Sequence, residues 1–86
     1  MQIRVEVLPR VFLKHTYLTY DDIRTAWTNA LSARTREFGP PDIIAAAGVD
    51  TKGRMIEMLG IKIEDDMVVI YHAMKLTQKM ARELAL

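Results

Sequence analysis

The chain has no cysteine, so disulfides and thiolate metal sites are excluded and a reducing compartment suits it. It also has no long apolar run. Ile43 to Val49 and Met67 to Tyr71 fall far short of the roughly 18 residues that span a bilayer. Charge and apolar residues interleave from Gln2 to Glu6, which leaves no signal-peptide core. A cytoplasmic protein with no membrane partner is the expectation. Charge of one sign is scarce as well: 12 Lys and Arg against 11 Asp and Glu leave a net charge of +1. That balance gives no global electrostatic case for nucleic acid, which favours a basic face or stripe. The distribution is uneven, however. Arg10, Lys14, His15, Arg24, Arg34 and Arg36 crowd the first half, while Glu64, Asp65 and Asp66 share one turn, so a local patch stays open.

What is present is apolar residue at element spacing. Half of the 86 residues are hydrophobic, enough for one modest core and a single domain over residues 1–86. Gln2 to Val7 alternates as a half-buried strand does, with Ile3, Val5 and Val7 on one face. Pro9 suits the first turn of a helix, and Leu8, Val11, Phe12 and His15 follow at helical spacing. Thr19 with Asp22 three residues on marks a capped start. Tyr20, Ile23, Ala26, Trp27, Ala30 and Leu31 then form a helical stripe. Glu37 to Pro41, with two prolines and a glycine, is a loop. Asp42 to Val49 re-enters as an apolar strand, and Thr77 caps a last helix through Ala85. The reading is α+β, in the order β-α-α-β-β-β-α, with a three- to four-stranded antiparallel sheet, two N-terminal helices and a short C-terminal one.

The stretch from Gly48 to Lys79 holds the polar groups suited to chemistry. Asp50-Thr51-Lys52-Gly53 places Asp first and Gly fourth in a type I turn, the glycine free to take a positive φ. Arg54 to Ile63 and Met67 to Met74 read as two strands of a meander. Arg54 and Glu57 are three apart, so in a strand without a bulge they point to opposite faces. The connecting turn decides the face of His72. A three-residue loop Glu64-Asp65-Asp66 would set it with Arg54, and a two-residue loop Asp65-Asp66 would set it with Glu57.

The order of elements, Lys14-His15 at the end of the first helix, Gly48-x-Asp50-x-x-Gly53-Arg54-x-x-Glu57 in the hairpin, and His72-Ala73-Met74 with Lys79 beyond it resemble small bacterial toxins of type II toxin–antitoxin systems. These are usually described as BrnT-like or RelE-superfamily toxins. The likeness runs from about Val5 to Met80. It implies a ribonuclease that cleaves mRNA, on or off the ribosome, without a cofactor, held inactive by a cognate antitoxin.

Cleavage of RNA without a metal needs a base for the 2′-hydroxyl, an acid for the leaving oxygen, and cations for charge on the phosphorane. His72 is the natural acid or base. Arg54 could hold phosphate bidentately, Lys79 could supply a point charge, and Glu57 could act as base or orient a cation. Each has a plain alternative: a structural histidine in an apolar strand, a rim charge, a solvated lysine, a salt-bridge partner. His15 fits a helix C-terminus, where a cation is favoured. The two histidines alone make a poor metal site. Gly48 to Gly53 lacks the Lys-Ser or Lys-Thr that completes a phosphate-binding loop. The competing function is a non-catalytic interaction module or a homodimeric subunit, which the high hydrophobicity also suits.

Overall fold

The computed structural model describes residues 3–36 and 42–86, so the loop expected over residues 37–41 lies outside them. Eight elements follow one another: β1 (Arg4–Val7), α1 (Pro9–Lys14), α2 (Tyr20–Thr28), β2 (Ala30–Arg36), β3 (Ile43–Val49), β4 (Met55–Glu64), β5 (Met67–Lys75) and α3 (Gln78–Glu83). The strands form one five-stranded sheet in the order β1-β5-β4-β3-β2. The α+β class and the three-strand meander are as the sequence predicts. The sheet departs from the expected three or four antiparallel strands in two ways.

First, β1 pairs parallel with β5, Arg4 opposite Met67 and Val7 opposite Ile70. Everything from α1 to β4 lies between them in the chain, a connection long enough for a parallel neighbour. Second, the capped helix stops at Thr28, and Ala30 to Arg36, expected to begin as its last turn, is an edge strand against β3. Asn29 closes the helix, its backbone N–H and its side-chain amide both donating to the Thr25 carbonyl. The apolar stripe runs on through Ala30 and Leu31, but pairing with β3 overrides local helix preference there. A register shift between Ala30 and Ser32 marks the entry into the sheet.

The α2 start is as expected. Thr19 accepts from the Asp22 N–H, and the Asp22 carboxylate accepts from the Thr19 N–H. The helix lies against β3 at Gly48, where a Cβ would come within 2.0 Å of the Ala26 carbonyl oxygen. No other residue leaves room for that approach. In the β3–β4 turn the Gly53 N–H donates to the Asp50 carbonyl, and Gly53 takes φ +77°.

Two cores result, one on each face of the sheet. Val11 of α1 and Ile23 and Ala26 of α2 pack with Ala46, Ile56, Met58, Val68, Ile70 and Ala73. Met80 and Leu84 of α3 pack with Ala45, Ala47, Met55 and Leu59 on the other face. The three consecutive alanines of β3 therefore serve both layers, and small side chains on each face let the helices come close. Among the described residues no helix is long and apolar enough to cross a membrane.

Candidate functional site

The face carrying α3 also carries Glu57 and His72, and strand register puts them there. Asp65 and Asp66 form a two-residue loop between β4 and β5. On a regular hairpin this loop sets His72 opposite Leu59, on the same face as Glu57, as observed. The hairpin nonetheless has two irregularities: Ile63 is an extra residue on β4 and Tyr71 an extra residue on β5. Each reverses the inside-outside alternation, and together they cancel. The second one matters locally. Val68 and Ile70 point into the α1/α2 core, and were the ladder regular through Tyr71 the next alternate residue, His72, would follow them.

Glu57 is buried, 4 % exposed, and all its contacts are specific. One carboxylate oxygen, Oε1, accepts from the Thr77 N–H at 2.8 Å and from the Thr77 hydroxyl at 2.6 Å. The other, Oε2, lies 2.9 Å from His72 Nε2. Thr77 is at the same time the N-cap of α3, its oxygen accepting from the Met80 N–H at 3.2 Å. Because that oxygen accepts from Met80, its proton is committed to Glu57. Burial pushes the Glu57 carboxyl up, but the bonds from Thr77 and His72 together outweigh it and hold the group below its ordinary value. An ionised Oε2 needs a proton on Nε2. Neutral His72 is thus fixed in the tautomer whose Nδ1 has a free lone pair. The His72 side chain is 25 % exposed, so the dyad is reachable from solvent.

Around it opens a cleft of about 250 Å³ whose walls include Arg36, Glu57, His72, Thr77, Lys79 and Glu83. Arg36, at the end of β2, makes a two-pronged pair with Glu83 of α3, Nε to Oε2 at 2.8 Å and Nη2 to Oε1 at 2.7 Å. The pair holds the Glu83 carboxyl below its usual range. It also ties the edge strand to α3, as does the Ser32 hydroxyl donating to the Leu84 carbonyl at 2.7 Å. Lys79, exposed on α3, makes no ion pair among the described residues, though its charge helps hold Glu83, four residues on, ionised.

Three of the four residues singled out in the sequence, Glu57, His72 and Lys79, therefore meet in one cleft. Arg54 does not join them. It sits on the other face of the sheet, as its spacing from Glu57 requires. There its Nε contacts Asp50 Oδ2 at 2.7 Å, its Nη2 contacts Asp22 Oδ2 at 3.3 Å, and the guanidinium lies 5.3 Å from the Tyr17 ring centre. Asp22 is fully buried and also accepts from the Thr51 hydroxyl and the Lys52 ammonium. Burial alone would raise its pKa; the bonds from Thr51 and Thr19 and the nearby Lys52 charge drive it well below the carboxylate range. This cluster staples the start of α2 to the β3–β4 turn, a structural duty. His15 is the C-cap residue of α1, as expected.

Arg36, Thr77 and Glu83 were not visible as site residues. Arg36 lies in a stretch whose pattern continues a helix, its partner Glu83 is 47 positions away, and Thr77 carries the signal of a helix cap only. The alternation Ser32, Arg34, Arg36 is the one local sign that this segment is a strand with a polar face.

Among the described residues no group of three or more His, Asp and Glu side chains is placed to hold a metal ion. No protein-family model matches the chain, and no curated protein matches it significantly.

Proposed function

We propose that the protein is an endoribonuclease that cleaves RNA through the His72–Glu57 dyad, the toxin of a toxin–antitoxin pair neutralised by a cognate antitoxin. One observation carries the reading: a solvent-reachable histidine fixed in a single tautomer by a buried, hydrogen-bond-locked carboxylate, within a cleft that also holds an exposed lysine. That is the base-and-orienter arrangement acyl- and phosphoryl-transfer sites share. His72 Nδ1 takes the proton of a 2′-hydroxyl as its oxygen attacks the adjacent phosphorus. The phosphorus–5′-oxygen bond breaks, leaving a 2′,3′-cyclic phosphate and a 5′-hydroxyl, and Lys79 supplies the charge, and a proton, at the leaving side. Glu57 does not take the proton; it holds the imidazole and offsets its charge. Arg36 contributes positive potential that Glu83 partly neutralises.

The resemblance to toxins supplies the antitoxin, mRNA as substrate and the expectation that expression alone arrests growth. The test is cleavage of a labelled RNA, with and without ribosomes, by the wild-type protein and by His72→Gln. A loss of about 10²- to 10⁴-fold in a folded variant is expected. Unchanged cleavage, or none by the wild type in either format, would refute the proposal.

A non-catalytic interaction module, or a homodimer, is the second reading. It is favoured by the outer edge of β2, where Leu31 stands 63 % exposed and the strand has no further strand neighbour among the described residues. Normal growth at high soluble expression, with no RNA cleavage, is the outcome it requires.

A further inference from the structure

A second, larger cleft lies beside His72. β1 pairs with β5 only as far as Ile70, so from Tyr71 onward β5 has no strand neighbour on that side among the described residues. There α1 stands next to the open edge, and between them is a space of about 560 Å³. Leu59, Tyr71 and Ala73 give it an apolar wall, and Arg10, Lys14 and His15 line its α1 side. His72 and Leu59 line this cleft and the smaller one alike, so whatever fills one abuts what fills the other.

Three features of α1 are unexplained by folding. Arg10 and Lys14 are four apart, one turn of helix, where like charges repel by a few tenths of a kcal/mol. Neither has an acidic partner among the described residues. Between them Leu13 is 81 % exposed at the mouth of the cleft. His15 has a buried Nε2 with no hydrogen-bond partner among the described residues, a polar atom that costs stability unless something meets it. Cations, an apolar floor with a tyrosine, and an unused ring nitrogen together fit a planar heterocycle attached to phosphate.

We infer that this cleft is a nucleotide-binding subsite, which takes the nucleoside next to the phosphate held at His72 and so restricts the enzyme to single-stranded RNA. The inference rests on the proposed RNA cleavage for its polarity, but binding is measurable without cleavage. Tyr71 provides a ring on which a base stacks, Arg10 and Lys14 meet the flanking phosphates, and the open edge of β5 offers backbone groups to the base edge. A duplex cannot place a base in the cleft without unpairing it.

The experiment uses a fluorescein-labelled eight-nucleotide single strand with 2′-O-methyl riboses, which lack the attacking hydroxyl, and reads anisotropy across a salt series. Wild-type protein should bind the single strand, and the same strand in duplex should bind more weakly. Arg10→Ala with Lys14→Ala should weaken binding about 10-fold at low salt and flatten the log–log salt slope by about 1.4, near 0.7 per phosphate contact. Tyr71→Ala should cost about 10-fold or more, and Tyr71→Phe, which keeps the ring, should restore it. Thermal melts check that each variant is folded. His72-dependent RNA cleavage combined with binding and slope unchanged in the Arg10, Lys14 and Tyr71 variants would overturn the subsite and leave the ribonuclease standing. Binding that depends on those residues, without any cleavage of RNA, would keep the subsite and remove the ribonuclease. No binding of the oligonucleotide, or equal displacement by a polyglutamate peptide of the same length, would overturn the subsite as well.

Discussion

Replacing Glu57 by Gln tests the dyad at the atom level, because shape is kept while charge and the second acceptor are lost. The carboxylate receives two bonds from Thr77 on Oε1 and one from His72 on Oε2. An amide has one oxygen. Two donors at Thr77 outbid one at His72, so the amide oxygen of the variant faces Thr77 and its NH₂ faces His72 Nε2. That nitrogen must then accept, and the ring proton moves to Nδ1, the atom proposed as base. Cleavage should fall by about 10²- to 10⁴-fold, comparable to losing the base itself or its orienting carboxylate. Three charge-assisted bonds, worth about 1.5–3 kcal/mol each, become neutral ones or donor-to-acceptor exchanges worth about 1. Part of that difference returns because the amide is cheaper to bury than a carboxylate. A net cost of about 1–3 kcal/mol follows, a drop of about 5–20 °C in Tm for a domain of this size.

The pH dependence fixes the cause of that cost. Glu57 is held below its ordinary value of 4.5, so the unfolded chain binds the proton more readily than the folded one, and stability rises with pH through that interval. The stabilisation is fully present above about pH 4.5 and is lost as pH falls through the lower, folded-state value. Wild type and Glu57→Gln should therefore differ in Tm at pH 7 and converge in acid. The assays are RNA cleavage at neutral pH, thermal melts from pH 7 downward, and the ¹⁵N shifts of His72 to report its tautomer. A variant with full cleavage, or one whose His72 keeps its proton on Nε2, would refute the reasoning. A Tm difference that stays constant into acid would show that packing, not the carboxylate charge, sets the stability.

Lys79→Ala should lower cleavage about 10²-fold, as loss of one electrostatic contact to the transition state does. Its stability should stay within about 0.5 kcal/mol of wild type because the side chain is exposed; cleavage at the wild-type rate would remove it from the site. Arg54→Ala should do the opposite, costing about 3 kcal/mol by leaving Asp50 and buried Asp22 short of a partner. Its cleavage, measured well below its Tm, should match wild type. Gly48→Ala should be destabilised by about 1–3 kcal/mol or more, since its Cβ meets backbone, the Ala26 carbonyl, rather than a side chain that can swing away. Urea melts measure it, and a neutral result would mean that α2 can lift off β3 freely.

The strongest local signals in the sequence survive folding unchanged. Thr19 and Asp22, Pro9, the Asp50 to Gly53 turn and Thr77 each act through bonds within a few residues, and each ends or starts an element where its chemistry says it should. What local reading misses is decided at long range. Ala30 and Leu31 continue the helical stripe, yet pairing with Gly48 and Ala47 draws the segment into the sheet. That pairing is what brings Arg36 to Glu83 and so builds one wall of the cleft. The parallel placement of β1 is invisible for the same reason, since its partner is more than sixty positions away.

The site itself was half legible, and the reason lies in the β4–β5 hairpin. Counting alternate residues from the Asp65-Asp66 turn puts His72 on the face of Glu57, and that is where it stands. The count works only because the extra residues Ile63 and Tyr71 reverse the alternation twice. Were the ladder regular through Tyr71, with residues 68, 70 and 72 alternating without interruption, His72 would enter the α1/α2 core beside Ile70, and Glu57 would be left with Thr77 alone. Tyr71 therefore does two things at one position. By standing outside the ladder it leaves His72 on the face of Glu57, and, being itself the residue squeezed out, it comes to line the open cleft beside α1. Deleting Tyr71 should leave Ile70 opposite Gly60 and His72 opposite Leu59 in a regular ladder, and so should keep His72 on the face of Glu57 while removing the ring from the cleft. Inserting nothing and substituting Tyr71→Phe leaves both alternations intact. The dyad's tautomer, read by ¹⁵N shifts, should be unchanged both in Tyr71→Phe and in the deletion; a deletion variant that loses the Glu57–His72 bond would show that the ladder does not close with His72 opposite Leu59.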